Sequence, residues 1–188
     1  MSGALREKSA LVIGAGGLGS PVLLALASAG IGRLVICDAD TVETSNLNRQ
    51  PLFGEADVGK RKIDAAAARL RRLAPALDID ARHVRFADDN ALALAASADL
   101  VIDGSDNFPT KFLASDAALA ARRPLVHGAI LRYTAQLFTL VPGATSCLRC
   151  LFEAPPPPNA VPSCAAAGVL GALAGLTGGL MAAEALRI

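Results

Sequence analysis

Short apolar runs without alternating polar positions recur along the chain, each followed by glycine or aspartate. Ser9–Ile13 and Arg33–Cys37 are the clearest, with Leu100–Ile102 further on. Runs of this kind predict strands buried on both faces, as in a parallel sheet. After the first run and a cluster of glycines comes an Ala/Leu-rich stretch, which predicts a helix stopping at Gly30, a natural residue for the left-handed position beyond a helix end. A longer helix is predicted from near Gly59 to just before Pro75, with Lys62, Arg69 and Arg72 on its polar stripe. Ile79–Val84 reads as a strand, Asp88–Ala96 as a short helix, and Pro124–His127 and Ala135–Val141 as two more strands. Asp106 or Asn107 can cap a helix with Pro109 in its first turn. Strand and helix signals alternate, which argues for an α/β fold: a doubly wound, mostly parallel Rossmann-like sheet with helices on both faces.

The expected organisation is one domain over residues 1–188: a core over 1–150, a proline-rich crossover over 151–164 and an apolar helix over 165–188. Ser163 to Ala183 carries no charged residue, about the length that spans a bilayer. Gly171, Gly175 and Gly179 recur at the spacing of packed membrane helices. The stretch is nevertheless Ala and Gly with few large apolar residues, no aromatic anchors and no basic flank. A membrane span is therefore disfavoured. The expectation is a helix covered on every face, at or beside the interface of a soluble homodimer.

Charge and cysteine content narrow the classes. Lys and Arg number 18 against 17 Asp and Glu, so there is no long-range field for nucleic acid. Four cysteines in 188 residues do not make a secreted disulfide framework. Met1–Lys8 is polar rather than signal-like, and the expected compartment is the cytoplasm.

Gly14-Ala15-Gly16-Gly17-Leu18-Gly19 lies between the first strand and the first helix, where glycines let backbone N–H groups approach a phosphate. Asp38 follows 19 residues after Gly19, at a strand end where a carboxylate can hold ribose hydroxyls. These features suit NAD as well as ATP, or a glycine turn without ligand. The loop is not a Walker motif, since Ser20 and Pro21 follow its last glycine. A triphosphate would need cations from elsewhere, and Arg49 and Lys62 are the candidates; the alternative for each is a solvated surface position. Asp103 and Asp106 sit after a strand near the expected switch point, where a carboxylate can hold Mg²⁺ or cap a helix. Cys37 reads as core, and His83 and His127, the only histidines, read as structural rather than catalytic.

Taken in order, these motifs resemble the ThiF/MoeB/HesA family, prokaryotic relatives of ubiquitin-activating enzymes. The resemblance rests on the glycine loop, Asp38-Ala39-Asp40, Ser45-Asn46-Leu47-Asn48-Arg49-Gln50 and Gly59-Lys60-Arg61-Lys62. It continues through Asp103–Asn107, Pro124–Val126 with Gly128-Ala129, Cys147-Leu148-Arg149-Cys150 and Cys164. It implies an ATP site on Gly14, Gly16, Gly17, Gly19, Asp38, Ser45, Asn46, Leu47, Asn48, Arg49, Lys62, Asp106 and Asn107. Within it Asp38 would hold the ribose, Asn46, Arg49 and Lys62 the phosphates, and Asp106 Mg²⁺. The implied reaction is adenylation of the C-terminal Gly carboxylate of a ubiquitin-like sulfur-carrier protein, of molybdopterin or thiamin type, with release of pyrophosphate. Cys164 matches the cysteine by which some members hold the carrier covalently; otherwise it is a small residue at a helix start.

Three family features have no counterpart in 1–188. One is a second cysteine pair that would complete a zinc site with Cys147 and Cys150; another is an arginine-bearing segment a helix upstream of the first strand; the third is the set of C-terminal strands that helps seat the carrier's tail. Two thiolates do not close a structural zinc site. Two other readings remain open on the sequence: an NAD-dependent oxidoreductase, and a weak or inactive relative acting as a binding partner. Adenylation of a tRNA base is disfavoured by the near-neutral charge.

Overall fold

In the computed structural model, residues 2–157, 160–161 and 168–188 are described. The helices are α1 (Ser2–Leu5), α2 (Gly19–Ala29), α3 (Lys62–Leu73), α4 (Ala91–Ala96), α5 (Phe108–Ala120), α6 (Leu148–Leu151) and α7 (Gly171–Arg187). The strands are β1 (Ser9–Ile13), β2 (Arg33–Cys37), β3 (Asp78–Arg82), β4 (Leu100–Asp103), β5 (Leu125–Leu131) and β6 (Thr134–Leu140). They form one sheet in the order β3-β2-β1-β4-β5-β6. All neighbours are parallel except β5 and β6, which make an antiparallel hairpin. The winding reverses between β1 and β4, creating the crevice where ligands of such sheets bind.

The strand runs are apolar throughout because both faces are covered. Val12, Leu34, Ile36, Ile102 and Val126 pack with residues of α2, α3 and α7. Their alternates Leu11, Ile13, Val35, Val101 and Leu125 pack with α4 and α5. The expected doubly wound arrangement is what the chain adopts. Gly30 closes α2 at φ 86°, its N–H returning to carbonyls of the last turn. Asn107 caps α5 by accepting from Thr110 N–H at 3.0 Å.

Several boundaries differ from expectation for local reasons. Helix α3 starts at Lys62 rather than near Gly59, because Gly59 N–H is taken by Val42 and Arg61 bridges Thr41. Helix α4 starts at Ala91, since Asn90 turns back to accept from Ala87 N–H at 3.1 Å. Strand β3 ends at Arg82. It is an edge strand, and Asp80 on it is bonded by Arg33 and Arg82, which blunts the open edge.

The C-terminal helix departs most. It begins at Gly171, after Gly168 at φ 76°, a bridge of Val169 to Arg132 and an extended Leu170. Two of its glycines permit close approach within the chain: a Cβ on Gly171 would collide with the Asn48 carbonyl, and one on Gly178 with Pro21 and the Leu18 carbonyl. Gly175 and Gly179 face open space, and Leu176 and Leu180 are 61% and 52% exposed. Within one chain the helix is covered on part of its surface only. One side seals against α2 and β5, while the other presents an uncovered apolar stripe. Among the described residues no helix is long and apolar enough to cross a membrane.

Candidate functional site

At the carboxyl end of the sheet a cavity of about 1770 Å³ opens over β1, β2, β4 and β5. Its floor is the glycine loop. Gly14 N–H donates to the Cys37 carbonyl at 2.9 Å, and Ala15 N–H donates to Asp38 Oδ2 at 2.8 Å. The other Asp38 oxygen accepts from Asp40 N–H at 2.8 Å. Asp38 is thus a fixed, largely buried carboxylate bracing the loop, with lone pairs left for hydroxyl donors. No side chain caps the N-terminus of α2, but Ser20 N–H donates to the Gly16 carbonyl at 2.8 Å, Val22 N–H donates to the Leu18 carbonyl at 3.3 Å and Pro21 has no N–H, so the donors left for an anion are those of the glycine loop before the helix.

Arg49 crosses this loop. A Cβ placed on Gly17 would stand 3.7 Å from Arg49 Cγ and Cδ and 3.8 Å from Ala174 Cβ of α7. The guanidinium donates to the Ser45 carbonyl at 2.8 Å and to Asn48 Oδ1 at 3.1 Å. Asn46 is buried and locks the turn, accepting from Glu43 N–H at 3.4 Å. Lys62 is buried, not on the solvent stripe, and its ammonium donates to Asp40 Oδ2 at 3.0 Å. Gln50 is buried beside Gly16, and no described residue bonds its side-chain oxygen.

Most residues singled out in the sequence meet here: Gly14, Gly16, Gly17, Asp38, Ser45, Asn46, Arg49, Lys62, Asp106 and Asn107 all line the cavity. Gly19, Leu47 and Asn48 do not. A Cβ on Gly19 would collide with the Gly14 carbonyl, so it shapes the loop from beneath. Leu47 packs against the core, and the Asn48 carbonyl abuts Gly171.

The two aspartates at the end of β4 and just beyond it separate sharply. Asp106 is exposed, lines the cavity and accepts no hydrogen bond from a described residue. Asp103 is fully buried and unavailable to a metal. Its Oδ1 accepts from Ser105 N–H at 3.0 Å and from the Ser105 hydroxyl. Its Oδ2 faces Lys111 Nζ at 3.4 Å and His127 Nδ1 at 2.8 Å. That histidine contact is short but poorly aligned as a hydrogen bond. Burial opposes ionisation of Asp103, yet the Lys111 charge and His127 hold its carboxyl well below the usual carboxylate range. Lys111 also donates to the Ser105 and Gly128 carbonyls, each at 2.7 Å. The His127 ring stacks on Phe138 with centroids 4.4 Å apart. Lys111 and His127 both line the cavity. Lys111 was invisible as a site residue in the sequence, and His127 read as structural.

Cys147 and Cys150 bring their sulfurs within 3.3 Å, and the neighbouring Cys150 thiol lowers the Cys147 thiol from its ordinary value. Among the described residues no group of three or more His, Cys, Asp or Glu side chains is placed to hold a metal. The pair alone does not fit a closed tetrahedral zinc site. Cys164 lies outside the described residues. Cys37 is core: burial and the adjacent Asp38 charge push its thiol up to about 12.

Comparison with known proteins gives this geometry a context. The chain is 49% identical over 189 residues to a sulfur carrier protein adenylyltransferase of Thermus thermophilus, covering 98% of this chain and 70% of that protein. It is 44% identical to a SAMP-activating enzyme E1 of Haloferax volcanii, covering 99% and 68%. It is also 44% identical to an adenylyltransferase and sulfurtransferase MOCS3 of Anopheles gambiae, covering 98% of this chain but 42% of that longer protein. A crystal structure of E. coli MccB with MccA-N7isoASN superposes with a TM-score of 0.84 at 23% identity, over 97% of this chain and 56% of that one. That likeness establishes the shared fold. The ThiF family model matches residues 2–188, and the chain belongs to the ThiF family.

Proposed function

We propose that this chain uses ATP to adenylate the C-terminal Gly carboxylate of a ubiquitin-like sulfur-carrier protein. The observation that carries the reading is the convergence of the glycine loop, Arg49 and Lys62 around one cavity with the ribose-binding candidate Asp38. The carrier carboxylate attacks the α-phosphorus, the bond to the bridging oxygen breaks, and pyrophosphate leaves. The attacking group is already ionised, so the protein's task is to position the reactants and stabilise growing charge. Arg49, from the loop over Gly17, and Lys62, from the start of α3, address the phosphates from two separate elements. Asp106 fits Mg²⁺, offering one free carboxylate beside phosphate oxygens; the ion would add charge neutralisation there. ATP supply and the unpaired Cys147 and Cys150 thiols agree with a cytoplasmic compartment.

The relatives' names join adenylation to sulfur carriage and sulfur transfer. On that basis the acyl-adenylate made here is consumed by a sulfur nucleophile, with a carrier of molybdopterin or thiamin type. The NAD reading leaves Arg49 and Lys62 without a role. A melting experiment separates the two: Mg-ATP at about a hundred times its Kd adds ~2.7 kcal/mol and raises Tm by about 5–10 °C, while NAD leaves it unchanged. A shift with NAD and none with Mg-ATP overturns the reading.

The uncovered stripe on α7 supports a two-fold homodimer, since Leu176 and Leu180 lie on the side away from α2. A symmetric contact would remove that area from water. Leu176→Lys with Leu180→Lys should give a monomer by light scattering, because burying unpaired ammonium groups is costly. A native chain that is already monomeric at micromolar concentration removes the dimer.

A further inference from the structure

Adenylation of a carboxylate needs no base, yet the cavity contains one that is already oriented. Resting on the reading above, we infer that His127 is the proton acceptor for a thiol or hydrosulfide that attacks the carrier's acyl-adenylate in this cavity, with Asp103 as its positioning residue. Asp103 and His127 are register partners on β4 and β5. An ionised carboxylate can only accept a hydrogen bond, so of the two neutral tautomers the one with its proton on Nδ1 suits the 2.8 Å contact, although the two groups are poorly aligned. Nε2 then carries the lone pair, and no described residue donates to it. The Phe138 ring stacked on the imidazole fixes its plane. The charged groups that bear on the imidazole are Asp103 on β4 and Lys111 on α5; β6 supplies the uncharged Phe138. Lys111 also binds the Ser105 and Gly128 carbonyls and stands 3.4 Å from Asp103 Oδ2, farther than the imidazole at 2.8 Å.

Strand order supplies the direction. β2 with Asp38, β1 with the glycine loop, β4 leading to Asp106, and β5 with His127 follow one another across the sheet. With sugar over β2 and phosphates over β1 and β4, an acyl group on the α-phosphate extends toward β5. There the S–H proton passes to His127 Nε2 and the sulfur pair forms a C–S bond. The C–O bond to the phosphate breaks, and its electron pair leaves on AMP. A thiol gives a thioester and hydrosulfide gives a thiocarboxylate; nothing is oxidised or reduced.

The test follows two half-reactions in the full chain with its carrier: carrier-dependent ATP–pyrophosphate exchange, and AMP release from preformed acyl-adenylate on adding a thiol. His127→Gln should slow AMP release with an alkyl thiol by ~10²–10⁴-fold, the range of a lost general base, while exchange falls far less. An aromatic thiol, ionised at neutral pH, needs no proton acceptor and should restore most of the release rate. Asp103→Asn should shift the pH profile of alkyl-thiol release, with the aromatic-thiol rate following it far less. Equal losses in exchange and release, or equal losses with both thiols, would show a structural role and overturn the inference. If His127→Gln misfolds, the native chain decides: alkyl-thiol and aromatic-thiol release with the same pH dependence also overturns it. Absence of exchange in the native chain instead defeats the adenylation reading itself.

Discussion

Replacing Arg49 with alanine is expected to cut carrier adenylation by ~10²–10³-fold, the scale of one lost preorganised donor in a shielded site. The guanidinium is already held by the Ser45 carbonyl and Asn48 Oδ1, so little reorganisation is needed when charge builds on the phosphates. Arg49→Lys should recover only part of the rate, because an ammonium lacks the planar fork that two phosphate oxygens can share. Pyrophosphate exchange with the carrier measures this. Turnover near the native rate in Arg49→Ala would take the residue out of the site.

The second large effect is on stability. Asp103→Ala should cost about 3–5 kcal/mol, because it leaves the Lys111 ammonium buried without its carboxylate. The denaturant midpoint should fall accordingly. Lys111→Met should cost much less in an Asp103→Asn background than alone, since neither charge then remains unmatched. The same pair sets an acid limit. Asp103 is held below its ordinary value in the folded chain, so on acidification the unfolded chain takes up the proton first. The stability it contributes is complete above about pH 4 and is lost as pH falls below that. In Asp103→Asn that component of the acid-side slope should disappear. An unaltered acid-side slope would show that other carboxylates govern it.

What the sequence revealed depended on how local each cause was. β1 and β2 are legible to the residue because a strand covered on both faces leaves an unbroken apolar run. The glycine loop and Asp38 are legible because their spacing follows from one strand–turn–helix unit. Lys62 misled: its helical period assigns it to water, and only the chain's return beside Asp40 supplies a buried partner. Asp103 looked like a metal ligand because its role depends on register with β5, which brings His127 alongside from 24 positions away. The four-residue spacing of Gly171, Gly175 and Gly179 suggests one contact surface and passes over Gly178. Their packing splits them instead, Gly171 and Gly178 inward and Gly175 and Gly179 outward.

The order of synthesis interacts with one of these contacts. The wall behind Gly17 and the Asn48 carbonyl is made by Ala174 and Gly171, the first turn of α7. At ~5–20 residues per second, translation reaches residue 174 roughly 6–25 s after Arg49 has been added. During that interval the growing chain can pair β1 with β2 while the arginine loop has nothing behind it. The backing that α7 gives the arginine loop is therefore the latest-made part of this wall, added only after the glycine loop and Arg49 are already in place in the chain.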